Sequence, residues 1–123
     1  MRDVVGAPGQ EVIHGDHLMP LVEEAIAEGQ RAKELEPGSP VRNARLARTY
    51  IYAGQYDQAI AECRTALALD PNLIFAFANM GLALTQQRKY DEAITTFQKA
   101  PAVKDRPEIL GLRGYTYARW GKK

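Results

Sequence analysis

A chain of 123 residues has the size of one compact domain, and 46% hydrophobic with 25% charged residues is the balance of an ordinary globular protein. Sixteen basic against fifteen acidic side chains leave a formal charge of +1, which excludes the concentrated positive field that phosphate-backbone binding needs, so nucleic acid is not an expected partner. Cys63 is the single cysteine, which excludes an internal disulfide, and no stretch has the apolar length of a signal peptide or a membrane span; the expectation is a cytoplasmic protein without membrane contact.

Residues 1–15 read as an irregular arm, because Gly6-Ala7-Pro8-Gly9 and Gly15 oppose a regular helix. His14, Asp16 and His17 group two imidazoles and a carboxylate, and a metal-dependent enzyme built on them is the remote alternative for function. No second cluster completes a coordination shell, so Asp16 is read as a flexible or helix-capping residue and no metal, cofactor or catalytic residue is assigned. A helix is then expected over 17–36, stopped by Pro37. The segment 40–71 predicts a helical hairpin. Its first helix carries Leu46, Ala47 and Tyr50 on one face and stops at Gly54. Its second starts near Asp57, buries the stripe Ala59, Ile60, Cys63, Ala66 and Leu67, and ends at Leu69-Asp70-Pro71, where proline cannot continue the ladder. The segment 73–105 predicts a second hairpin, closed by Pro101 or Pro107, and 107–120 a terminal helix.

These elements repeat. Val22, Tyr56 and Tyr90 stand 34 residues apart, as do Ala25, Ala59 and Ala93, Ile26, Ile60 and Ile94, and Ala32, Ala66 and Ala100; Leu35 pairs with Leu69 and Pro37 with Pro71 at the same step. The last segment has Gly114, Tyr117 and Gly121 one residue short of the period. Small residues at Ala47, Ala59, Gly81 and Ala93 would let paired helices approach closely, and Tyr50, Phe77, Tyr90 and Phe97 fall on helical periods as core residues. Cys63 is read as an inert core thiol.

The pattern Leu46-Ala47, Tyr50, Ala59, Cys63, Ala66, Pro71, followed by Phe77, Met80-Gly81, Leu84, Ala93, Phe97, Ala100, resembles the tetratricopeptide repeat family over about residues 21–121. The resemblance implies an all-α fold, a right-handed α-α superhelix of about three helix-turn-helix units with a single terminal capping helix. In the first unit only the second helix (17–36) matches. It also implies a scaffold that binds a peptide or partner domain in a concave groove lined by the first helix of each unit, without catalysis and without a cofactor.

Matching to the family pattern places Val41, Ala44, Arg45, Arg48 and Tyr52, then Phe75, Ala78, Asn79, Leu82 and Gln86, on that groove. Arg45, Arg48, Tyr52, Phe75, Asn79 and Leu82 are the candidate binding residues. Arg45 and Arg48 lie three apart on one helical face, and guanidiniums beside an amide suit a carboxylate. The clamp with which some family members hold chaperone tails is not reproduced: Ala44 and Arg48 stand where its first pair would be, Phe75 and Ala78 are apolar, and Asn79 alone agrees. A protein or peptide partner with an acidic group and an apolar anchor is expected instead. The competing reading makes Arg42, Arg45 and Arg48 a solvated face paired with acids. A further alternative is a self-assembling module whose homo-oligomer packs through an edge at Leu112, Tyr115 and Trp120.

Overall fold

The computed structural model describes residues 19–121. The arm at 1–15 and the trio His14, Asp16 and His17 lie outside the described residues. Six α-helices follow one another with no strand among the described residues: α1 Met19–Leu35, α2 Pro40–Tyr52, α3 Tyr56–Leu69, α4 Ile74–Gln86, α5 Tyr90–Gln98 and α6 Pro107–Trp120, with a 3-10 turn at Val103–Asp105. Each helix packs on the next, and α2, α4 and α6 also touch in succession, which makes the arrangement a helical solenoid.

Local chemistry explains the boundaries. Ser39 Oγ accepts from the Arg42 backbone N–H at 3.4 Å and Pro40 occupies the first turn of α2, where its missing donor is not needed. Gly54, at φ +77°, takes the left-handed turn after α2, a conformation that costs glycine nothing. Asp70 is extended ahead of Pro71 and its Oδ1 accepts from the Asn72 backbone N–H at 3.1 Å.

The second helix of the third unit, α5, has 9 residues against 14 in its counterpart α3. Pro101 disfavours helical geometry in the residue before it, and the chain then turns through Ala102 at φ +51° into the 3-10 segment. Pro101 therefore closes the unit, while Pro107 opens α6 from its first turn.

The core runs along the solenoid through Leu46, Tyr50, Cys63, Phe77, Leu84, Phe97 and Ile109. Ala47, Ala59 and Ala93 are fully buried where helices meet. At Gly81 a helix comes close enough that a Cβ there would lie 2.2 Å from Cε1 of Phe97, whose ring is itself fully buried. Tyr90 differs from the other expected core aromatics in being half-buried, stacked on Trp120 with ring centroids 5.8 Å apart.

Polar links tie the layers together. Glu62 on α3 accepts from Lys33 of α1 and from Asn43 of α2, both at 2.8 Å. The buried hydroxyls of Thr85 and Thr116 lie 2.7 Å apart and join α4 to α6. Each is also within 2.9 Å of a carbonyl one turn earlier, so two hydrogens serve three contacts and one carbonyl bond gives way to the cross-helix bond.

Candidate functional site

Arg48 lies at mid-helix in α2 and turns toward α4. Its Nε donates to Asn79 Oδ1 at 2.7 Å, and Nη1 reaches the Tyr52 hydroxyl at 3.5 Å. Its guanidinium carbon lies 5.6 Å from the centre of the Phe75 ring and 6.0 Å from that of Tyr52, within cation–π range of both. No carboxylate among the described residues pairs with Arg48, whereas Arg42 pairs with Glu36. Arg42 thus has the acid partner expected of a solvated face, and Arg48 does not. The Nε edge of Arg48 is occupied, and its Nη edge has only the long contact to Tyr52.

Asn79 is fully buried, not on the groove surface: its amide donates to the Ala44 carbonyl at 3.0 Å while its oxygen receives Arg48. It fixes α4 against α2 and holds Arg48 in place from behind. Arg45 parts company with Arg48. It is exposed and borders a small cavity of about 110 Å³ against Gly29 and Ala32 of α1, about a sixth of a turn from Arg48 on α2. Leu82 is half-buried and packs against the core. Tyr52, 71% exposed, and Phe75, 37% exposed, present the apolar surface expected of them.

Beside Arg48 opens a cavity of about 670 Å³. From α4 it is walled by Ile74, Phe75 and Ala78, from α6 by Glu108, Gly111 and Leu112, and Arg106 stands where the chain enters α6. The sequence reading missed the contributions of Arg106, Glu108 and Gly111. A signal was available, since Ala44 and Ala78 lie 34 apart and Gly111 follows 33 later, the one-residue slip already seen at Gly114. Leu112 thus borders this cavity and packs on the core. Of the other two edge residues, Trp120 stacks on Tyr90 and Tyr117, and Tyr115 is exposed with its hydroxyl receiving Gln86 at 3.4 Å and Arg119 at 3.1 Å. These donors hold the Tyr115 phenol below its usual range, the Gln86 hydrogen bond foremost.

Cys63 is fully buried, and burial first, then the charge of Glu62, pushes its thiol up to about 12, so it is not a nucleophile at neutral pH. Among the described residues no group of three or more His, Cys, Asp or Glu could hold a metal ion, and no helix is long and apolar enough to cross a membrane.

Residues 20–100 match the family model described as anaphase-promoting complex, cyclosome, subunit 3. The chain is 35% identical over 86 residues, 70% of its length, to the small glutamine-rich tetratricopeptide repeat-containing protein 2 of Mycosarcoma maydis, of which it spans about a quarter (24%). Among solved structures it is similar to the first TPR domain of human RPAP3, with a TM-score of 0.74 and 19% identity over 89% of this chain and 88% of that one. It is also similar to the second TPR domain of the same protein, solved in complex with the HSP70 peptide SGPTIEEVD. That match has a TM-score of 0.70 and 23% identity over 86% of this chain and 91% of that one.

Proposed function

Because this chain belongs to the tetratricopeptide repeat family, we propose that it is a non-catalytic adaptor that holds a partner protein by a short segment. That segment lies on the face built by α2, α4 and α6. The observation that carries this reading is Arg48: a guanidinium held by Asn79 and two aromatic rings, with no described carboxylate to satisfy it, at the edge of an apolar-walled cavity. A charge fixed in position before the ligand arrives loses little freedom on binding, which is how a single buried-edge arginine becomes a binding hot spot. The partner segment accordingly offers a carboxylate to Arg48 and an apolar side chain beside Phe75. The peptide seated on the similar RPAP3 domain carries both kinds of group, an isoleucine followed by acids, which supports the chemistry without fixing the partner.

The test is affinity capture with mass spectrometry on the folded wild type, Arg48→Glu and Arg45→Glu. We expect a partner kept by the wild type and by Arg45→Glu and lost by Arg48→Glu, since Arg45 borders a different cavity. Identical captures by all three proteins would refute the assignment of Arg48.

A further inference from the structure

We propose that Gly111 is the specificity-determining residue of this site: the side chain it lacks opens the cavity between α4 and α6 to an aliphatic or aromatic side chain of the bound peptide. The inference rests on the groove reading above and adds what the groove selects.

Neither packing nor backbone accounts for a glycine at this position. Gly81 must be glycine because Phe97 lies where its Cβ would be, but a Cβ on Gly111 would meet nothing within 4 Å. Gly111 is inside α6 without a left-handed φ, and glycine is the least favourable helix residue after proline. Its one structural consequence is space, since it borders the cavity of about 670 Å³, well within the range of about 300–1,000 Å³ usual for ligand sites. The walls facing that space are apolar at Ile74, Phe75, Ala78 and Leu112. Around the opening Arg48 and Arg106 outnumber Glu108, and neither arginine has a carboxylate partner among the described residues. Charge complementarity therefore commits the site to a peptide in which the apolar side chain lies next to an aspartate or glutamate.

A random nonapeptide display library, selected in parallel on wild type, Gly111→Leu and Gly114→Leu, tests this. Gly114 is a second open position on α6 that does not border the cavity, so it controls for the helix change. We expect wild type and Gly114→Leu to enrich the same apolar–acidic pair, and Gly111→Leu to lose it. Peptides selected on wild type should bind Gly111→Leu about 10–200-fold more weakly by fluorescence anisotropy, the span that a methylene or so decides in an apolar pocket. Gly111→Ala, with one methyl in the same space, should shift enrichment toward smaller side chains. It carries the test if circular dichroism shows Gly111→Leu unfolded. The same motif at equal affinity on wild type and both Gly111 variants overturns the role of Gly111 and leaves the groove reading standing. Enrichment of sequences without an apolar–acidic pair overturns the proposed specificity, and no enrichment on any of the proteins overturns both.

Discussion

Replacing Gly81 with alanine adds one methyl group where, of the glycines in the described residues, the neighbouring helix comes nearest. The new carbon would lie 2.2 Å from Cε1, 2.4 Å from Cζ and 2.8 Å from Cδ1 of Phe97. Attractive carbon–carbon contacts lie at about 3.5–4.0 Å, so the ring or the helix must move by roughly 1 Å or more. Phe97 is fully buried and aromatic, with no free end to swing aside, and close-packed interiors do not absorb such a shift without loss. Overpacking of this kind costs about 1–3 kcal/mol, while the gain in helix propensity returns about 0.8–1 kcal/mol. Gly114→Ala has the same propensity gain and no neighbour within 4 Å, so it should stabilise the protein, and the contrast between the two variants isolates the packing cost. Thermal unfolding followed by circular dichroism should place Gly81→Ala below Gly114→Ala by at least about 4 °C in Tm, the shift per 1 kcal/mol at which the ranges for smaller and larger domains meet. Equal midpoints for the two variants, or a higher one for Gly81→Ala, would refute the close-approach argument. A cycle with Phe97→Leu adds a second check, because the smaller side chain should lose less stability in the Gly81→Ala background than in wild type.

Arg88 stands 34 residues after Gly54 and takes the same left-handed turn at φ +65°, so Arg88→Gly removes roughly 1–2 kcal/mol of strain against about 0.4–1 kcal/mol of added chain entropy. Its urea midpoint should rise, with a net gain of up to about 1.6 kcal/mol, and a fall would contradict the strain at this turn. Cys63 should resist an aromatic disulfide reagent in the native protein at pH 8 and react at once in denaturant, because its folded-state thiol is pushed up to about 12 from 9.0. The sign is that of a group stabilising in its protonated form. Its contribution is complete below pH 9 and is lost as pH rises toward 12, so Cys63→Ala should flatten that part of the alkaline stability profile.

Much of the fold was legible in the residues because repeats write the same local physics several times. Proline and glycine at fixed offsets set the helix ends, and an apolar stripe at helical spacing recurs with Ala59 and Ala93 at the same place in each unit. These are signals of a few residues' range, and a helix period reads them reliably. The length of α5 was less so, since the two candidate prolines, Pro101 and Pro107, both lie beyond it and only their placement showed which one ends the unit.

The site divides along the same line. That α2 and α4 supply an arginine, an aromatic and an asparagine at matching positions is written in the repeat. Which way each side chain turns is not, because two residues three apart on a helix differ by about a sixth of a turn, enough to send Arg45 toward α1 and Arg48 toward α4. Asn79 illustrates the limit: as a residue type it suits ligand contact, but packing of α4 on α2 leaves the Ala44 carbonyl and the Arg48 Nε as the groups it satisfies. Composition and spacing established the helices, their order and the faces that could meet. The cavity beside Gly111, the burial of Asn79 and the stacking of Trp120 on Tyr90 depend on neighbours 30 or more residues away in sequence, and those are decided by how the helices pack.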